Sequence, residues 1–477
     1  MDHAYRDSSA QYFANLQEQM KAQAEQAAQT MQFIETICEE FKKYNTIDPS
    51  YYEKLDVKRG LRNSDGTGVM AGITQIGNVR GYYMQDGEQI PMEGKLIYRG
   101  IDVEDLIAGF MAEERFGFEE TAYLLLFGAL PTREQLQGFE RTLAHYRTLP
   151  DGFTEDMIIK APSQDVMNKL GRAILALYSY DPDPESNEIE YEMQQALQLV
   201  ARVPVVVAHA FAVKRHYFNN ESLYLHRPQE GLSVAENFLY SVRHDNKFTN
   251  AEARLLDLCL VLHAEHGGGN NSAFACRVLS STGTDIYSAI SAAVGSLKGP
   301  RHGGANKKVM EMFGYIKKNV KDWKDDDEVK AYLTKLIHKR AGDRTGLIYG
   351  MGHAVYTLSD PRAVLLKKFA KNVAAQKGML PELELLESIE RLSPEVFLRE
   401  KNETKHICAN VDLYSGLVYK MMGIPEELYT PLFAMARMVG WCAHRIEEMY
   451  NPGNKIIRPA YKAVAPSRPF IPLDQRG

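Results

Sequence analysis

The chain has 477 residues, 45% hydrophobic and 25% charged, with 56 Lys+Arg against 62 Asp+Glu for a net charge of −6. That length exceeds what a single hydrophobic core supports, so at least two compact units are expected. The composition is that of a globular protein, and the acidic balance excludes the basic surplus of a nucleic-acid binder while leaving room for small anions in a local basic pocket.

Residues 1–45 are rich in Ala, Gln, Glu and Lys. Phe33, Ile37 and Phe41 recur on one face, which predicts a helical arm. The segment has neither an apolar signal core nor the arginines of a transit peptide, so a cytoplasmic protein is expected. Cys38, Cys259, Cys276, Cys408 and Cys442 are odd in number and include no Cys-x-x-Cys pair. They fit a reducing compartment and form neither a disulfide framework nor a thiolate zinc site. From Gly60 to Gly100, glycines punctuate short β-prone pieces, and one or two small hairpins are expected. The Gly66-x-Gly68-x-x-x-Gly72 spacing is not that of a dinucleotide fingerprint.

Helices dominate beyond Val103. Thr132 and Gln135 form a capping-box pair ahead of Leu136, Phe139 and Leu143. The longest apolar run, Val203 to Val213, contains Pro204 and His209 and is shorter than a membrane span, so no membrane segment is expected. Val309, Met312, Phe313 and Ile316 recur at helical spacing between Ala305 and Val320, as do Val364, Leu365, Phe369 and Val373 further on. The charged run Lys321 to Glu328 reads as a solvated turn between helices. Pro466, Pro469 and Pro472 predict an extended tail.

Five local patterns carry chemistry. His263-Ala264-Glu265-His266 places two histidines on one helix face, either as structural residues or as ligands. One such pair supplies too few ligands for a metal, so no metal site is assigned. The following Gly267-Gly268-Gly269-Asn270-Asn271-Ser272 lets backbone N–H groups approach an anion. Gly299-Pro300-Arg301-His302-Gly303-Gly304 sets His302 at a helix start, where the helix dipole disfavours the imidazolium and leaves a neutral hydrogen-bond donor. Gly350-Met351-Gly352-His353 repeats that logic. Downstream, Asp360 and Pro361 read as N-cap and first helical residue, and Arg362 as facing a carboxylate. In Asn410-Val411-Asp412-Leu413-Tyr414-Ser415-Gly416, Asp412 reads as a helix cap or as a base. Arg437 and Arg458 offer guanidinium forks to planar carboxylates.

Taken in this order, these motifs and the Tyr98-Arg99-Gly100 segment resemble the citrate synthase family, including its 2-methylcitrate synthase members, from about Gly60 to Ala463. The resemblance implies a mostly α, two-domain helical fold with a small β-hairpin region near the N-terminus. It places the N-terminal extension at 1–45, a large helical domain at 46–303 and 417–477, and a small closing domain at 304–416. The implied reaction is a Claisen-type condensation of acetyl-CoA with oxaloacetate, followed by thioester hydrolysis. Asp412 is implied as base, His302 as enolate donor and His353 as the group that polarises the ketone. His266, Arg362, Arg437 and Arg458 are implied as carboxylate binders, Arg458 across a homodimer interface. Ser272 matches a residue that orients His302, Phe433 one beside oxaloacetate, and Arg59 or Arg62 a CoA-phosphate contact. No permanently bound cofactor is implied. The rival readings are 2-methylcitrate synthase, acting on propionyl-CoA, and an inert helical scaffold.

Overall fold

The computed structural model describes residues 2–402 and 406–476, with the side chains of residues 14–43 within the first helix. The chain falls into two compact units, Met1–Ala71 and Gly72–Gly477. The first holds the helix α1, Asp2–Tyr44, then a short helix Ser50–Lys54 and an isolated bridge between Arg62 and Gly68. The expected arm is therefore one continuous helix.

The second unit opens with a three-stranded antiparallel sheet, β1 (Gly77–Gln85), β2 (Glu88–Tyr98) and β3 (Ile101–Asp102), in the order β1-β2-β3. Among the described residues, every named element after it is a helix. The capping box at Thr132 and Gln135 is present, as is the helix Ala305–Asn319. The acidic run corrects the sequence reading. Asp325 caps the helix Asp326–Ile337, accepting from the Asp327 and Glu328 amides, so half of the expected turn is a helix start.

The helix Ile189–Asn219 extends well beyond the apolar run Val203 to Val213. It continues through Pro204 and is long and apolar enough to cross a membrane by length and composition alone, yet 78% of its most apolar window is buried inside the protein. It packs against the helix Tyr429–Tyr450, buried from Tyr429 to Arg445 except for half-buried Phe433, and the two form the centre of the core. Trp441 and Arg437 are among the largest fully buried side chains there. The core helix thus carries both packing and chemistry.

Candidate active site

Two glycines in the hairpin set the height of one catalytic loop. A Cβ on Gly81 would lie 2.4 Å from the Val355 carbonyl oxygen, and one on Gly94 2.1 Å from that of Ser359. Only hydrogen fits, so the segment 353–359 lies directly on the sheet. It is pinned there by Thr357 Oγ1 donating to the Gly81 and Met92 carbonyls, and by the Gly94 amide donating to Ser359 Oγ at 3.1 Å.

His353 stands at the start of this segment. The amides of Val355 and Tyr356 both donate to its Nδ1, at 3.0 Å each. An N–H can only donate, so Nδ1 is bare and the ring is the neutral Nε2–H tautomer. Its ring lies 5.2 Å from that of His266 and 4.5 Å from that of Tyr356.

The Asp412 loop is held beside the His353 loop by a short antiparallel contact. Met351 bridges Ala409, the Gly352 amide donates to the Cys408 carbonyl at 2.7 Å, and the Asn410 amide to that of Gly350 at 2.9 Å. Asn410 adds a bond from Nδ2 to the Gly352 carbonyl, while its Oδ1 accepts the Asp412 amide. Asp412 is the first residue of the helix Asp412–Met421, and the first amide of that helix is taken by Asn410, not by the Asp412 carboxyl. The cap reading of Asp412 therefore falls away, leaving its carboxyl available for chemistry. Burial pushes its pKa up to about 6; Arg362 opposes the shift and Asp360 adds to it.

His302 lies in the turn ahead of the helix Ala305–Asn319. It is neutral, as expected, but the dominant causes are burial and then the Arg437 guanidinium, which hold it down at about 4. Its Nε2 is 3.2 Å from Ser272 Oγ. Ser272 Oγ in turn accepts from Trp441 Nε1 at 3.1 Å and lies 2.8 Å from Asn270 Oδ1, so Asn270 and His302 compete for its single proton.

Arg437 is fully buried. Its Nε donates to the His263 carbonyl at 2.6 Å, Phe433 lies 4.8 Å beneath it, and both Nη atoms lack a hydrogen-bond partner among the described residues. Burial pulls its pKa down to about 10. A buried guanidinium with two free ends is costly unless an anion completes it. Arg362 is also buried, but its Nε and Nη2 are engaged by the Asp360 carboxylate at 3.0 and 2.7 Å. Asp360 therefore does more than cap the helix Pro361–Gln376: it orients Arg362 and also accepts the Val411 amide, next to Asp412.

His266 Nε2 is buried without a partner among the described residues, and burial, then Arg362, His353 and Arg437, hold the ring neutral. His263 is structural: its Nε2 is 2.7 Å from Tyr419 Oη, and its ring stacks 4.4 Å from Phe433. Among the described residues no group of three His, Cys, Asp or Glu is placed to hold a metal ion. Arg458 sits apart, exposed on the extended C-terminal tail.

Sequence reading missed a buried relay beneath the glycine turn. Arg277 donates to His444 Nδ1, at 2.7 Å from Nη2, so His444 must donate from Nε2 to Glu265 Oε1 at 2.9 Å. Burial opposes the Glu265 charge, but His444 and Arg437 overcome it and lower its pKa. The available signal was spacing: Phe433, Arg437, Trp441 and His444 share one stripe of a single helix.

Comparisons with known proteins bear on the family. The family described as "Citrate synthase, C-terminal domain" matches residues 64–460. The citrate synthase of Haloferax volcanii is 34% identical over 88% of this chain and 99% of its own. The 2-methylcitrate synthase 1 of Corynebacterium glutamicum is also 34% identical, over 88% and 98%. A Thermoplasma acidophilum citrate synthase, solved as a ternary complex with carboxymethyl coenzyme A and oxaloacetate, superposes with a TM-score of 0.71 at 27% identity, covering 88% of this chain and 99% of its own. The motifs, the helical fold and these relatives together place the chain in the citrate synthase family.

Proposed function

We propose that the protein condenses acetyl-CoA with oxaloacetate and water to give citrate and CoA. The observation that carries this reading is Arg437: a buried guanidinium with both ends free, surrounded by neutral His266 and His302. A dianionic oxo acid completes such a site, whereas a neutral ligand leaves the charge unanswered. Arg362, oriented by Asp360, and the unpartnered Nε2 of His266, donating as Nε2–H, complete the carboxylate cradle.

The chemistry follows from protonation states. Asp412, with a pKa near 6, is ionised at neutral pH yet basic enough to take a methyl proton of the thioester. His302 then donates a hydrogen bond to the enolate oxygen as a neutral imidazole. His353 Nε2–H polarises the ketone of oxaloacetate and protonates the alkoxide formed as the carbon–carbon bond closes. Thioester hydrolysis releases CoA. No permanently bound cofactor is needed for these steps.

A homodimer fits the exposed position of Arg458, which on this reading closes the partner's site. Closure of residues 304–416 over the substrates excludes water until the new bond has formed. Cysteines left as free thiols, four of them buried, support a reducing, cytoplasmic setting.

The second reading, 2-methylcitrate synthesis from propionyl-CoA, is favoured by the equal identity to the Corynebacterium enzyme. One methylene is worth only about 1–3 kcal/mol in a pocket. Thiol release with oxaloacetate and each acyl-CoA decides. Acetyl-CoA is expected to give the higher kcat/KM. A higher value for propionyl-CoA selects the second reading, and no release with either selects an inert scaffold.

A further inference from the structure

The helix α1 has no part in the chemistry above, and every described side chain in it, from residue 14 to 43, is exposed. Its apolar residues are nevertheless ordered. Met20, Ala24, Ala27, Met31, Ile34, Cys38 and Phe41 follow one another at alternating steps of four and three. That is a mean spacing of 3.5 residues, the period of a left-handed two-helix seam, with Ala24, Met31 and Cys38 in one core row and Met20, Ala27, Ile34 and Phe41 in the other. Met31 and Phe41 are 56% and 62% exposed, so the seam is uncovered.

We propose that this seam pairs with the same seam of a second copy of the chain as a two-stranded coiled coil. Self-pairing suits the flanking positions. Gln23, Thr30 and Ile37 on one side and Lys21, Ala28, Glu35 and Lys42 on the other present no row of like charge to a second copy. The size is also adequate. Residues 14–43 span about 45 Å at 1.5 Å per residue, and a stripe about 10–12 Å wide covers on the order of 1,000 Å² over two copies, the lower bound for a specific contact. The association is accordingly reversible. An anionic membrane surface is the weaker occupant, because it needs a basic polar face. Here Lys21, Lys42 and Lys43 are outnumbered by Glu18, Glu25, Glu35, Glu39 and Glu40.

Cys38 lies in a core row, so the label goes on the opposite face, on Gln29→Cys in a Cys38→Ala chain whose other four cysteines are buried. A nitroxide there on the full chain should show inter-copy dipolar coupling at a distance below roughly 40 Å in either helix orientation, given the 1.5 Å rise. The double variant Met31→Asp/Ile34→Asp should abolish that coupling and leave kcat unchanged. Phe33→Asp, off the seam on the same helix, should preserve it. Absent coupling in the parent chain overturns the proposal, as it would if the arm bound another partner or its own chain. Coupling that survives the double variant, or is lost equally in Phe33→Asp, also overturns it.

Discussion

At the residue scale the site is a set of assigned protons. Asp412 must be ionised to act, and its folded-state pKa is raised to about 6. Activity is therefore fully present above that value and falls as pH drops through it. The acid limb of kcat/KM should lie near pH 6 and be absent in Asp412→Asn, whose residual rate should be about 10²–10⁴-fold lower with oxaloacetate binding kept. His302, held near 4, contributes no limb in that window. Its tautomer depends on one hydroxyl. Ser272 has a single proton, and Trp441 occupies one of its lone pairs. If that proton goes to Asn270, His302 Nε2 must donate and Nδ1 is left bare. If it goes to His302, Nδ1 carries the hydrogen that an enolate needs. Removing the indole donor frees a lone pair and disturbs this choice. Trp441→Phe should lower kcat about tenfold, leave the KM for oxaloacetate unchanged, and shift the ¹⁵N signals of His302; an unaltered imidazole spectrum would reduce Trp441 to packing.

At the element scale the hairpin is a platform and the helix Tyr429–Tyr450 a spine. Gly94→Ala places a methyl group against the Ser359 carbonyl, and overpacking of this kind costs about 1–3 kcal/mol. The loop must rise, so kcat should fall while the far helices keep their stability; unchanged turnover would show that the platform does not set the height of His353. Much of the element list was readable from sequence. The capping box at Thr132, the Asp360-Pro361 helix start and the arm each have a local cause. The assembly was not readable. Periodicity gives no reason for Tyr98 to reach the Val261 carbonyl at 2.9 Å, or for Glu265 to meet His444, because both partnerships are long-range. The Lys321–Glu328 run misled for a different reason: a string of acids marks a solvated turn and a helix N-terminus equally well.

At the scale of the whole molecule, the unanswered charge of Arg437 is a source of instability that substrate removes. Oxaloacetate, binding the folded state alone, should raise Tm in proportion to the logarithm of its concentration, and Arg437→Met should lose most of that rise. Solution scattering should show compaction on adding oxaloacetate, as residues 304–416 close; an unchanged radius would count against a closing domain.

The contact between the His353 and Asp412 loops has a consequence in time as well as space. Asn410 bonds to Gly352 across a sequence separation of 58, so the two halves of the catalytic apparatus meet only after that excursion has folded. The Gly352 and Asn410 amides are thus a clock for assembly. In deuterated solvent they should exchange together, as one cooperative opening, and both should slow when oxaloacetate is bound. Exchange of one without the other would mean that the two loops come and go independently.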